Sequence, residues 1–181
     1  MTEQIRTGTG LIHLYTGDGK GKTTTGMGLC VRAAGYGYKV LIYQFMKNNS
    51  TSERSAMKYI PGITFIDGLE QEKFSFLLTP EEKAQRRDFY DRQLQKVSQI
   101  ARDEEYDVLF LDEAVYAVSA GLLDEDLLIG FLESKPDRLE VILTGQNPGQ
   151  RLCEICDYHS RICKVKHPFD HDQPARKGIE R

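Results

Sequence analysis

The chain has 181 residues, enough for one substantial core, and no Pro-, Gly- or Ser-rich linker divides it, so one domain over 1–181 is expected, with an arm at 1–9 and a tail at 166–181. Apolar residues make up 40% and charged residues 28%, which excludes a disordered tail, and a net charge of -3 argues against a nucleic-acid binder, which needs a concentrated basic surface. No apolar run approaches the ~20 residues that span a bilayer, the polar start MTEQIRTG does not read as a secretory signal, and four cysteines read as reduced thiols, so no membrane association and a cytoplasmic location are expected.

GLIHLYT, residues 10–16, is a short apolar run bounded by glycines, the pattern of a strand at the centre of a parallel sheet. A helix is predicted from Thr23 to about Tyr36, and KVLIYQF, residues 39–45, reads as a second strand. NNSTSERSAMKY has no period of two or 3.6 and reads as a surface loop running into a short helix. ITFI, residues 63–66, is a third strand. Thr79-Pro80-Glu81-Glu82 then supplies an N-cap, a proline at the first helical position and a capping-box glutamate. The long helix it opens has an apolar face at Tyr90, Leu94, Val97 and Ala101. DVLFLDE reads as a strand ending in two carboxylates, LLDEDLLIGFLES as a helix, and EVILTG as a strand closed by glycine. Alternating strands and helices predict a doubly wound, mostly parallel α/β sheet; the P-loop NTPase-like (RecA-like) class is expected from the glycine-rich loop described next. Ligands of such sheets bind outside the carboxyl ends of the strands, where TGDGKGKTT, DEAVY and TGQN all fall.

TGDGKGKTTTG is the most informative stretch. Glycines at 17, 19 and 21 free the backbone to turn N–H groups inward around an anion, and the helix that follows adds its positive end. Lys22 then reaches the far phosphates and Thr23 offers its hydroxyl to magnesium. The strict pattern G-x-x-x-x-G-K-[ST] asks for glycine at position 16, where this chain has Thr16. Asp112 and Glu113 end an apolar strand and are the candidate carboxylates to complete the metal site with Thr23.

Further motifs accompany the loop: RAAGYG at 32–37, QFMK at 44–47, VLFLDE at 108–113, VILTG at 141–145 and KHPF with AR-GIE at 166–180. As an ordered set covering nearly the whole chain, they resemble the ATP:corrinoid adenosyltransferases of the CobA/BtuR (CobO/CobP) type. The resemblance implies a reaction in which corrinoid cobalt, reduced to Co(I), attacks the 5' carbon of ATP and expels triphosphate, with magnesium as the metal. It implies that Gly17, Asp18, Gly19, Lys20, Gly21, Lys22, Thr23 and Thr24 cradle the triphosphate, that Arg32 lies next to the nucleotide, and that Lys22, Thr23 and Glu113 carry the catalysis. Phe74 and Phe76 match the family's paired aromatics, which are thought to pack beneath the corrin; plain core packing is the alternative for such a pair. A homodimer and a flavoprotein reductase partner are further implications. Four departures stand out: Gln146 follows TG where relatives commonly carry arginine, with Arg151 or Lys20 as candidate substitutes; the N-terminal extension of longer relatives is reduced to MTEQIRTG; Asp172-Gln173 replace a small, apolar pair; and Arg181 stands where an aromatic is usual.

RLCEICDYHSRICKVKH, residues 151–167, offers three thiols and histidines, enough for a zinc site, but its spacing matches no common knuckle. On a helix Cys153 and Cys156 share a face and pack as small apolar groups. Two other functional classes remain open on these residues: a phosphoryl-transfer or NTP-hydrolysing enzyme with Glu113 as base, and a non-catalytic module binding nucleotide or corrinoid.

Overall fold

The computed structural model describes residues 8–73 and 75–180. Its centre is a six-stranded sheet of β1 (Ile12–Thr16), β2 (Val40–Gln44), β3 (Ile63–Phe65), β4 (Val108–Asp112), β5 (Glu140–Thr144) and β6 (Tyr158–Arg161), in the order β3-β2-β4-β5-β1-β6. Every pairing is parallel. The helices are α1 (Lys22–Tyr36), α2 (Ser52–Met57), α3 (Pro80–Asp103), α4 (Ala114–Ser119), α5 (Glu125–Ser134) and α6 (Gln150–Ile155).

All five residues of β2 and all five of β4 are buried, as expected of strands covered on both faces. The alternation assigns the two layers. Val40, Ile42, Val108, Phe110 and Ile142 point to α1 and pack with Met27 and Cys30, whereas Leu41, Leu109, Leu111, Val141 and Leu143 point to the other face and meet α3, α4 and α5. The sheet is therefore doubly wound, as the alternating pattern predicts. On α3 the buried stripe is Tyr90, Leu94, Val97, Ser98 and Ala101, and the helix opens with the expected capping box: Glu82 N–H donates to the Thr79 side chain, and the Glu82 carboxylate accepts from Thr79 N–H. Such a cap is worth about 1 kcal/mol.

Three elements, α4, α6 and β6, go beyond the sequence expectation. α4, which the sequence reading does not predict, begins in DEAVY immediately after Glu113, whose φ of 59° in the left-handed region turns the chain from strand into helix. Gly145 makes this turn fit: its φ is 149°, and a Cβ there would lie 2.3 Å from Tyr116 N. The cysteine-rich stretch folds as α6 followed by the edge strand β6, whose four residues are all exposed and which pairs with β1 from His13↔Tyr158 to Thr16↔Arg161. Cys153 and Cys156 are partly buried against the main core, and Cys156 Sγ–H donates to Cys153 O at 3.3 Å, so they serve as packing groups at the end of α6.

Candidate active site

The carboxyl ends of β2, β4 and β5 and the first turn of α1 meet around one buried acid, Asp112. It has 0% exposure and accepts four hydrogen bonds. Thr23 Oγ1 (2.9 Å) and Thr144 Oγ1 (2.7 Å) donate to Oδ1, while Gln44 Nε2 (3.0 Å) and Lys47 Nζ (2.6 Å) donate to Oδ2. Thr144 is satisfied in turn, because its hydroxyl oxygen accepts from Glu113 N–H at 2.8 Å. Burial alone would raise the Asp112 pKa, yet the Lys47 charge and the hydrogen bonds from Lys47, Thr144 and Gln44 overcome it and hold the carboxyl below its ordinary value. Burial likewise pulls Lys47 down, but Asp112, with Glu113 and Glu53, outweighs it and keeps the ammonium charged.

Glu113 is the opposite case. Burial first, and then repulsion from Asp112, push its pKa above the usual carboxylate value. Of the two strand-end acids, Asp112 is thus the fixed anion and Glu113 the one more readily protonated. Thr23 Oγ1 and Asp112 Oδ1 are oxygen donors in contact, a set that suits a hard divalent cation completing its shell with phosphate oxygens and water. The Lys47 ammonium stands against the same hydroxyl, 3.0 Å from Thr23 Oγ1, and against the other carboxylate oxygen, Asp112 Oδ2, so a positive charge is already favoured at this point.

The loop from Gly17 to Gly21 lies between β1 and the N-terminus of α1. Lys22 is buried and its ammonium donates across the loop to Gly19 O at 2.9 Å. Not every loop group is free for an anion. Gly19 N–H donates to Ile162 O at 2.9 Å, and the Asp18 carboxylate accepts from Lys164 N–H at 3.0 Å, which holds its pKa down. Gly17 is glycine for the same neighbour: a Cβ there would sit 2.2 Å from Ile162 O. The segment after β6 therefore braces the loop. Thr16, in the place of the pattern's glycine, closes β1 with its hydroxyl 2.8 Å from His159 Nε2. Lys20 and Thr24 are exposed, and a cavity of about 250 Å³ over Gly19, Lys20 and Lys22 is covered by the tail at His167, Phe169 and Glu180.

Other expected residues fall elsewhere. Arg32 is exposed ten residues along α1 from Lys22, roughly 15 Å of helical rise, and its charge acts on Tyr15. Arg151, a candidate substitute for a cation at position 146, is committed to Asp126 at the start of α5. The cation that the sequence reading missed is Lys47, together with Gln44 and Thr144. They stand in the motifs QFMK and VILTG, at or just beyond the end of an apolar strand, but nothing local marks them as partners of Asp112.

Phe76 lies in a short 3-10 turn, Ser75–Leu77, and is 77% exposed, which removes plain core packing as its explanation. Phe74 lies outside the described residues. The segment before this turn is anchored through Glu72, whose carboxylate pairs with Arg86 and accepts from the Tyr90 hydroxyl.

Comparison with known proteins bears on this geometry. A family model described as ATP:corrinoid adenosyltransferase BtuR/CobO/CobP matches residues 8–181. The chain is 30% identical over 174 residues to a corrinoid adenosyltransferase of Sinorhizobium sp, covering 94% of this chain and 80% of that protein. It is 29% identical over 171 residues to one of Escherichia coli (strain K12), covering 94% and 85%, and 30% identical over 174 residues to corrinoid adenosyltransferase CobA of Salmonella typhimurium, covering 94% and 85%. Among solved structures it is similar to a KaiC-like protein of Pyrococcus horikoshii, with TM-score 0.55, 18% identity and coverage of 88% of this chain and 75% of that one, a likeness of fold alone. With a family match running from Gly8 to Arg181, the chain belongs to the ATP:corrinoid adenosyltransferases of the BtuR/CobO/CobP family.

Proposed function

We propose that this chain transfers the 5'-deoxyadenosyl group of ATP to the Co(I) of a corrinoid and releases triphosphate. The observation that carries the reading is the family match along residues 8–181. The site supports it. The cobalt electron pair forms the new bond to the 5' carbon, the carbon–oxygen bond breaks, and its electrons leave on the triphosphate, so negative charge grows on the group held in the loop. A site made for that step needs fixed positive charge and donors at the loop and no phosphoryl acceptor. Lys22 is buried beside the loop, the positive end of α1 faces it, and Lys47 adds a second ammonium.

Magnesium held by Thr23 and Asp112, when bound, neutralises part of the triphosphate charge. Asp112 is held as the anion for this purpose by Lys47 and its hydrogen bonds. Phe76, exposed on its turn, supplies an apolar face to the corrinoid. We assign Arg32 to the nucleotide site at a distance from the loop, and we expect a homodimer, a flavoprotein reductase as electron donor and a cytoplasmic setting. No helix among the described residues is long and apolar enough to cross a membrane.

The test is direct. With ATP, magnesium and a chemically reduced corrinoid under anaerobic conditions, the expected products are the cobalt–carbon adduct and intact triphosphate in equal amounts. Orthophosphate as the phosphate product, or ATP binding with no adduct, overturns the proposal.

A further inference from the structure

Lys47 stands where a metal is expected. Its ammonium lies 2.6 Å from Asp112 Oδ2 and 3.0 Å from Thr23 Oγ1, against the same carboxylate and hydroxyl assigned above to the divalent cation. The two cations would crowd each other: Thr23 Oγ1 is common to both, and Lys47 takes Asp112 Oδ2 beside the Oδ1 assigned to the metal, so magnesium at about 2.0–2.1 Å and an ammonium at hydrogen-bond distance would meet at close range with little water between them.

The backbone is arranged to aim this side chain. β2 ends at Gln44, and Met46 then adopts a φ of 54°, an uncommon conformation for a residue with a side chain. The turn is pinned by Met46 N–H, which donates to Tyr90 Oη at 2.9 Å, and Tyr90 is itself held by Glu72 and Arg86. Gln44, two residues before the turn, fixes the other side of Asp112 Oδ2 and accepts from Thr51 Oγ1 at 2.9 Å. Without Lys47 the fully buried Asp112 would have hydroxyl and amide donors but no counter-charge among the described residues that touch it.

Resting on the reading that Thr23 and Asp112 hold the metal, we propose that Lys47 is the resident cation of the site: it occupies the metal position in the unliganded protein and exchanges with the divalent cation when nucleotide arrives. Its four-carbon stem gives it the reach to leave, and its side chain is 24% exposed, so a path outward exists. Displacement by metal alone takes the ammonium from its one hydrogen-bonded carboxylate among the described residues and offers no replacement. Metal arriving with a polyphosphate supplies both the replacement charge on Asp112 and a new anion for Lys47. The consequence is that metal and nucleotide enter together, and free metal binds weakly.

The experiment measures Mn2+ affinity by electron paramagnetic resonance, with neither nucleotide nor corrinoid present, for the wild type and for Lys47→Gln, Lys47→Met and Lys47→Arg. Glutamine can still hydrogen-bond to Asp112 and Thr23, which keeps a folded variant in the set should methionine fail to fold. Lys47→Gln is expected to bind Mn2+ at least ~10-fold tighter than wild type, because a buried carboxylate released from its counter-ion gains a partner. Lys47→Arg, which keeps the charge, is expected to stay as weak as wild type. Adding ATP should tighten Mn2+ binding more in the wild type than in Lys47→Gln. Mn2+ binding by Lys47→Gln that is equal to wild type or weaker, as a merely structural lysine predicts, overturns the inference. Since no corrinoid is involved, that failure is separable from failure of the transfer reaction: an inactive protein whose Lys47→Gln variant gains Mn2+ affinity refutes only the proposed function.

Discussion

Asparagine at position 112 separates the charge of the central acid from its shape. The carboxylate is wholly buried, with Thr23 and Thr144 on Oδ1 and Gln44 and Lys47 on Oδ2. Asparagine has the same outline but a single oxygen and no charge. Its NH2 cannot face Gln44 Nε2 and Lys47 Nζ, which only donate, so it must turn to the Oδ1 side, where two hydroxyls can accept. The hydrogen bonds are largely kept, and the loss falls on the ion pair. Removing one partner of a buried pair costs about 3–5 kcal/mol; Lys47, at 24% exposure, can turn toward water, which sets the expectation near 3 kcal/mol. The assay is a double-mutant cycle in equilibrium urea unfolding with Asp112→Asn, Lys47→Met and the double variant. Because each single change strands the other partner, the double variant should lose about 2 kcal/mol less than the sum of the singles. Additivity within about 0.5 kcal/mol refutes the claim that this pair holds the site together.

Lys22→Ala is expected to lower the adenosyl-transfer rate roughly 100-fold, the effect of losing one donor to developing charge worth about 3 kcal/mol; unchanged single-turnover kinetics contradict its assignment. Phe76→Ala should change unfolding free energy by less than about 0.5 kcal/mol, since the ring is exposed, and should spare ATP binding while slowing transfer from Co(II) more than from pre-reduced Co(I). Equal slowing from both cobalt states removes it from the reduction step. Glu140 gives a pH test. Burial would raise its pKa, but the hydrogen bonds from His13 and from the amides of Gly10 and Leu11 depress it below the ordinary 4.5. A depressed folded-state value means that its stabilisation is present above pH 4.5 and is lost as pH falls through the lower folded value. Glu140→Gln should therefore cost about 2 kcal/mol at neutral pH, with the gap from wild type closing below pH 4.5 in urea titrations. A gap that is constant with pH contradicts the assignment.

The elements legible in the sequence are those whose signal is local. Apolar runs such as VLIYQ and VLFLD are buried on both faces, and the Thr79-Pro80-Glu81-Glu82 cap needs only neighbours in the chain. β6 carries no such signal: YHSR is wholly exposed, and it is a strand only because β1 offers an open edge. The site divides in the same way. Thr23 and Asp112 are readable as the ends of their own elements, whereas Gln44, Lys47 and Thr144 acquire their roles from strand order, which sets β2 and β5 on either side of β4. Nothing local in QFMK says that its lysine faces the acid that closes VLFLD. For the same reason nothing in the sequence separates Arg151 from a substitute for a cation at position 146; its pairing with Asp126 is a fact of packing alone.

One hydroxyl joins the two halves of the proposed site. Burial, and then its hydrogen bond to Glu72, raise the Tyr90 pKa well above the ordinary tyrosine value, so the group stays protonated and can accept from Met46 N–H while it donates to Glu72. The first bond secures a left-handed turn, a conformation that costs a residue such as Met46 about 1–2 kcal/mol and that directs Lys47 at Asp112. The second secures the segment that leads into the Ser75–Leu77 turn and its exposed Phe76. Tyr90 itself is fixed on α3 by burial and by an edge contact with Phe45, so neither bond depends on a mobile partner. Nucleotide side and aromatic side are thus referenced to the same rigid point, which is what a transfer between two separately bound substrates demands, since reacting atoms must be held within a few tenths of an ångström of their productive separation.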